Sequence, residues 1–287
     1  MYLFKTLNNI DTKIIYDSFM EAFSDYSVNL FLPYKDFKTM LINKGFNPCI
    51  SLGLFHNNKL IGFVLNGKRK WNGKETAYDM GTAIIPDYRT CGFSKKMIVK
   101  VTEILKENNI EQYLLEVIQN NIKAFELYKS QGFQITRNFS VLQADIKPSI
   151  SFLSSSYTIE AITDIDESMW SIFKNFWDFS PSWQNSIDSI KATKEIFTYI
   201  VVKDKKNIIG YGVIEKKSGK IPQLAVNKNY RNKNIGKNIL YELVKNTDSN
   251  SIKLINIDRK YKNMENFLIN LGFQISSMQY EMILNIK

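Results

Sequence analysis

The chain has 287 residues, a formal net charge of +10, 44% hydrophobic and 13% aromatic residues. That length asks for two domains or one large one, and that composition excludes a disordered chain. Two cysteines, Cys49 and Cys91, exclude a disulfide framework, and the single histidine, His56, excludes a multi-histidine metal site and argues against a Ser-His-Asp hydrolase. The lysines are scattered among asparagine and isoleucine rather than clustered, and no nucleic-acid motif is present, so the charge reads as a solvated surface rather than a nucleic-acid site. No apolar run approaches a membrane span, and Met1–Lys5 lacks a basic-then-apolar order, so no membrane partner and a cytoplasmic location are expected.

Residues 2–7 read as a short strand. Ile14, Ile15, Ser18, Phe19, Ala22 and Phe23 mark one face of a helix that Asp11 is placed to cap. Pro33 opens a second helix, with Phe37, Met40 and Leu41 on one side, and Gly45-Phe46-Asn47-Pro48 ends it. Strands follow at Ile50–Phe55 and Leu60–Leu65 around a polar turn holding His56, Asn57 and Asn58. A hairpin at Trp71-Asn72-Gly73-Lys74 then leads into Thr76–Ile85. After Pro86 comes Arg89-Thr90-Cys91-Gly92-Phe93-Ser94, and after it a helical face of Met97, Ile98, Val101, Ile104 and Leu105. A first helical turn carries four unsatisfied N–H groups and partial positive charge. Small residues beside it let a phosphate approach the backbone, and an ordinary capped turn is the other reading of this loop. A strand at Gln112–Val117, a helix at Asn121–Ser130 stopped by Gly132-Phe133, and two strands reaching about Ile146 complete a mixed sheet with flanking helices, an α/β fold.

Residues 147–156 are rich in proline and serine and read as a linker between domains at 1–146 and 157–287. The pattern then restarts. Arg231 stands 142 positions after Arg89 (231 − 89), and Gly272-Phe273 stands 140 after Gly132-Phe133 (272 − 132). Ile239, Leu240, Leu243 and Val244 repeat the helical face between them. Two tandem copies of one fold are the simplest account.

The loop Arg89–Ser94 resembles the Arg/Gln-x-x-Gly-x-Gly/Ala loop of the GNAT superfamily of acyl-CoA-dependent N-acyltransferases, with Ser94 in place of the usual Gly or Ala. Leu115-Glu116-Val117 followed by Asn121-x-x-Ala124-x-x-Leu127-Tyr128-x-x-x-Gly132-Phe133 resembles the strand–helix segment that follows in that family. The resemblance implies two GNAT-like domains and an acetyl-CoA-dependent N-acetyltransferase needing no metal. Its acceptor is a small-molecule or peptide amine. The pyrophosphate is implied at Arg89, Thr90, Cys91, Gly92, Phe93 and Ser94, the pantetheine arm along Thr82, Ala83 and Ile84, and further cofactor contacts at Asn121 and Ala124. Tyr128 matches the family position that protonates the departing thiolate; Asp79 is taken as the candidate base, with Glu116 beside it. Tyr26, Phe31, Tyr34 and Phe37 are candidates for the acceptor pocket. A non-catalytic acyl-CoA sensor is the alternative function.

The second copy departs from this pattern: Asn234 replaces Gly92, Tyr261 replaces Asn121, Leu268 replaces Tyr128, and Lys228 replaces Pro86, while Gly236 keeps the last small position. One competent cofactor site per chain, in the first copy, is therefore expected. Asp178–Asn185 has the aromatic and amide character of a binding loop, against the plainer reading of a polar turn anchored by Trp183.

Overall fold

The computed structural model describes residues 1–25, 32–89, 91–145, 151–153 and 156–286. Tyr26, Phe31 and Thr90 lie outside the described residues, as does most of the 147–156 linker. Contacts divide the chain into two units, 1–136 with 280–287, and 137–279. These units are not the two sequence copies: the C-terminal end groups with the first unit, and residues 137–146 with the second.

The first unit holds β1 (Tyr2–Thr6), α1 (Thr12–Ala22), α2 (Tyr34–Lys44), β2 (Leu52–His56), β3 (Lys59–Trp71), β4 (Lys74–Ile84), α3 (Phe93–Glu107), β5 (Gln112–Ile118) and α4 (Ile122–Ser130). Strands β1 to β4 pair antiparallel in sequence order, and β4 pairs parallel with β5. Local chemistry accounts for the elements. Asp11 caps α1 by accepting from the Lys13 N–H at 2.7 Å. Asn72 and Gly73 both take positive φ, 50° and 85°, as a tight hairpin requires. His56 ends β2 at a polar turn, with its Nδ1 3.0 Å from the Tyr88 hydroxyl and its ring stacked on Tyr2. The buried face of α3 is Phe93, Met97, Ile98, Val101 and Leu105, and Phe19 of α1 packs on Phe37 and Phe63.

Two features of β4 position the site. The β3–β4 register shifts between Leu65–Gly81 and Asn66–Asp79, so Met80 is an extra residue, a β-bulge. The β4–β5 pairing runs from Thr76–Gln112 to Asp79–Leu115, while both strands continue beyond it. There the two strands part.

In place of the two strands expected after Phe133 there is one continuous strand, β6 (Gln134–Ala144). No glycine or proline interrupts Gln134–Ala144, and its later half pairs antiparallel with a strand far along the chain. The second unit continues with β7 (Thr158–Ile162), α5 (Glu167–Lys174), α6 (Ile187–Ala192), β8 (Phe197–Asp204), β9 (Asn207–Glu215), β10 (Gln223–Val226), α7 (Ile235–Lys245), β11 (Ile252–Asp258), α8 (Lys262–Ile269) and β12 (Gln274–Asn285). The last residues of β12 and those after it belong to the first unit, where the Ile286 N–H donates to Glu111 O at 2.8 Å. Strands β7 to β10 form a separate antiparallel sheet with β10 at its edge, and β11 pairs with β6. An isolated parallel bridge between Lys220 and Lys253 joins the stretch just before β10 to β11. Asp166 caps α5, and Trp183 is fully buried in a 3-10 turn at Trp183–Asn185, the anchored turn rather than an open loop.

Candidate active site

The parted end of β4 carries a cluster of polar groups. Asp79, 7% exposed, accepts three hydrogen bonds: from the Gly81 N–H at 2.9 Å, from the Thr82 hydroxyl at 2.8 Å and from the Tyr128 hydroxyl at 3.0 Å. The bulge at Met80 sets this local geometry. It lets the backbone of Gly81 and the side chain of Thr82 turn onto the carboxylate two and three residues back. Tyr128 reaches it from α4, where Gly132 and Phe133 end the helix and the Phe133 ring lies 5.5 Å from the phenol. Burial pushes the Asp79 carboxyl above its ordinary value, opposed by the bonds from Thr82, Tyr128 and Gly81. Burial and the Asp79 charge raise the Tyr128 phenol well above its ordinary value, so it carries its proton at neutral pH. Lys44, at the end of α2, is desolvated; burial lowers its ammonium, and the charges of Glu116 and Asp79 work against that.

The loop before α3 has the backbone of an anion cradle. Gly92 is the N-cap with φ 71° and ψ 11°, and no side chain caps the helix, so no side chain occupies its first-turn N–H groups. A Cβ built on Gly92 would meet nothing within 4 Å. Glycine enters this positive φ without strain and leaves the backbone open.

The sequence-expected cofactor residues divide by what their side chains do. Thr82, Ala83 and Ile84 lie on the parted end of β4. Ser94 and exposed Cys91 flank the cradle, and Phe93 is buried against Tyr2 at 4.8 Å. The Arg89 guanidinium is committed to the fold. It donates to Ile84 O at 3.0 Å and Ala22 O at 2.7 Å, and it pairs with Asp25 at 2.6 Å. Asn121 caps α4, accepting from the Ala124 N–H at 3.2 Å. Arg89, Asn121 and Ala124 thus have structural work in the fold. The reach of Arg89 back to Ala22 and Asp25 is more than sixty residues and has no sequence signal.

The second unit repeats the frame without the chemistry. Arg231 donates to Val226 O and Phe176 O and pairs with Asp178, as Arg89 does in the first unit. Asn234 caps α7 with φ 60° and ψ 5°, close to the conformation of Gly92. Asparagine is among the few side-chain-bearing residues that enter this region readily, so the loop survives the loss of glycine. The positions of Asp79, Thr82 and Tyr128 are held by Ile221, Leu224 and Leu268, all buried apolar residues.

Comparison with known proteins agrees with this duplication. The model of the acetyltransferase (GNAT) family matches residues 12–133, and a second acetyltransferase (GNAT) domain model matches 160–282. The [ribosomal protein bS18]-alanine N-acetyltransferase of Haemophilus influenzae is 35% identical over 101 residues, 34% of this chain and 62% of that protein. The chain therefore spans less than two thirds of the length of this curated relative. A tandem GNAT protein from the clavulanic acid biosynthesis pathway superposes with a TM-score of 0.76 at 11% identity, covering 100% of this chain and 99% of that one. A crystal structure of a putative acetyltransferase from Pyrococcus horikoshii gives 0.72 at 14% identity, covering 100% and 90%. At such identities the two structures speak to the fold alone.

Proposed function

This chain belongs to the GNAT family of acetyltransferases, and from that premise we propose that its first unit transfers an acetyl group from acetyl-CoA to a primary amine. The observation that carries the reading is the Asp79–Thr82–Tyr128 cluster at the parted end of β4, present in one unit and replaced by apolar residues in the other. The residues present suit the cofactor: Gly92 and the uncapped first turn of α3 offer backbone N–H groups to phosphate, and the parted end of β4 offers an unpaired strand edge to an amide-bearing arm. When bound, acetyl-CoA supplies the activated thioester acyl group.

Within this proposal the chain's own groups handle protons. As the C–N bond forms and the C–S bond breaks, Tyr128, which holds its proton at neutral pH, gives it to the leaving sulfur, and the proton lost by the attacking nitrogen passes through solvent to restore the phenol. Asp79 fixes the phenol's orientation, and its buried carboxyl takes up charge change within reach of three donors. All three hydrogen bonds that Asp79 accepts come from within the protein, which leaves it poorly placed to take a proton from the acceptor and favours an acceptor that needs little deprotonation. A peptide α-amine has an unperturbed pKa near 7.8 and is about one-third neutral at pH 7.5, whereas a lysine side chain is about one-thousandth neutral. The curated relative is named for acetylating an alanine of a ribosomal protein, which supports the same choice. We therefore place a polypeptide N-terminal amine first among acceptors.

The test is release of free thiol from acetyl-CoA with an alanine-initiated peptide, followed by mass spectrometry. A gain of one acetyl group, absent when the N-terminus is already blocked, is expected. Thiol release no faster than hydrolysis across peptide and small-amine panels would defeat the proposal.

A further inference from the structure

The loop before α3 is open where it would meet phosphate. A Cβ on Gly92 would meet nothing within 4 Å, so no neighbouring group fixes the backbone from that side. Its position is inherited from the residues on either side of it. Before the loop, Tyr88 closes the 3-10 turn Pro86–Tyr88; after it, Phe93 is the first residue of α3.

Both sides meet the same two residues, which belong to no sequence motif. Tyr2, on the edge strand β1, stacks on His56 with ring centroids 4.7 Å apart. The Tyr2 ring also lies 4.8 Å from Phe93 and, edge-on, 6.5 Å from Tyr88. His56, at the end of β2, holds Tyr88 through its Nδ1, 3.0 Å from the hydroxyl. Tyr2 and His56 are themselves partners across β1 and β2. One aromatic cluster on the first two strands therefore touches the loop before and after Gly92.

The second unit shows which part of this belongs to the frame. Tyr230 is the counterpart of Tyr88, and Asp204 ends β8 at a two-residue turn as His56 ends β2. The Tyr230 hydroxyl donates to Asp204 Oδ2 at 3.1 Å, and the Tyr157 ring lies edge-on to Tyr230 at 6.0 Å. The tether from tyrosine to turn is thus kept with a different acceptor. The same direction in the first unit makes His56 Nδ1 the acceptor and puts the ring proton on Nε2. The ring contact after the loop is not kept, because Ile235 stands in the place of Phe93 and offers no ring to stack. That contact is confined to the unit that holds Asp79, Thr82 and Tyr128.

A phosphate needs several backbone N–H groups aimed at one point, and a loop free to drift binds only in proportion to the time it is so aimed. We infer that Tyr2 and His56 are positioning residues for the cofactor, holding Tyr88 and Phe93 so that the backbone between them presents its N–H groups to phosphate. Neither touches the reacting atoms; both act through the loop. The inference rests on the reading of the first unit as an acetyl-CoA site.

The experiment is calorimetric titration of the full-length chain with acetyl-CoA, with steady-state thiol release and a thermal melt on the same preparations. Tyr2→Ala and His56→Ala are compared with Tyr2→Phe, which keeps the ring, and with His56→Asn, whose Oδ1 replaces Nδ1 as acceptor. Affinity about tenfold weaker in Tyr2→Ala and about fivefold weaker in His56→Ala, with both conservative variants within about twofold of wild type, is the expected result. KM for acetyl-CoA rises in step while kcat is kept, because Asp79 and Tyr128 lie outside the cluster, whereas loss of folded protein would lower kcat. If Tyr2→Ala does not fold, the comparison of His56→Ala with His56→Asn decides. Unchanged acetyl-CoA affinity in folded alanine variants, or a fall in kcat at unchanged KM, overturns the inference and leaves the proposed function standing. Wild type that fails to bind acetyl-CoA removes both. Acetyl-CoA bound without turnover removes the proposed function alone, and the affinities still decide the inference.

Discussion

Replacing Tyr128 by phenylalanine separates a proton donor from a packing residue. The substitution removes one oxygen. It leaves the ring packed against Phe133 and takes from Asp79 one of its three donors, while Thr82 at 2.8 Å and the Gly81 N–H at 2.9 Å remain. A hydrogen bond to a charged acceptor contributes about 1.5–3 kcal/mol, and the two surviving donors soften its loss, so a destabilisation near the lower end is expected. A domain with about 5–15 kcal/mol of stability stays folded after that. Turnover should respond far more, because a general acid contributes about 10²–10⁴-fold, or about 3–5 kcal/mol of barrier at 1.36 kcal/mol per decade. The donor acts as sulfur departs, so kcat and kcat/KM fall together while acetyl-CoA affinity is nearly kept. Steady-state thiol release, calorimetric affinity and a melt of the same preparation give the three readouts. Turnover within about threefold of wild type in a folded Tyr128→Phe protein would refute the acid role.

The remaining predictions concern the groups around this donor. Burial raises the Asp79 carboxyl, so ionising it opposes folding: the stability of wild type relative to Asp79→Asn should fall as pH rises from about 4, the unfolded value, through the raised native value, and then level off. Denaturant titrations of both proteins between pH 4 and 8 check this, and a gap that widens in favour of wild type with rising pH would contradict it. Arg89→Ala should cost about 1–2 kcal/mol, because Ile84 O and Ala22 O both lose a donor, whereas Asp25→Asn should leave denaturation nearly unchanged, since that pair is solvent-screened. Equal effects of the two substitutions would place the value in the ion pair instead. Gly92→Ala should cost about 1 kcal/mol from its positive φ alone, but a Cβ on Gly67 would sit 2.2 Å from Lys44 O, so Gly67→Ala should be much the worse in a thermal melt.

How much of this was legible in the sequence depends on how far each interaction reaches along the chain. Asp11 and Asp166 cap helices because their side chains meet N–H groups two or three residues on, and Asn72-Gly73 makes a hairpin because those two residues accept positive φ. The duplicated spacing of Arg89 and Arg231 needs nothing beyond the sequence either. Duplication of the frame also follows from local preference, though less simply. Lys228 replaces Pro86 and Asn234 replaces Gly92, yet a 3-10 turn and a left-handed helix cap form in both copies, because Asn227 caps the turn and asparagine tolerates that φ. The substitutions there change the side chains and leave the backbone of the loop intact.

Other relations required the tertiary structure. Asp79 and Tyr128 lie 49 residues apart, and only the bulge at Met80 and the placement of α4 over the end of β4 bring the phenol to the carboxylate. Strand parity could not settle which face Asp79 serves, since one extra residue reverses it. Arg89 reads as a phosphate ligand by motif, but it is held by Ile84 O five residues back and by Ala22 and Asp25 from a distant segment. The grouping of 280–287 with the first unit and of 137–146 with the second follows from strand pairing over more than a hundred residues, which no local pattern encodes. Helix caps, turns and repeats are decided within a few residues of chain, where sequence is sufficient; the proton-handling pair is decided by which groups burial leaves facing one another, which only the packed molecule determines.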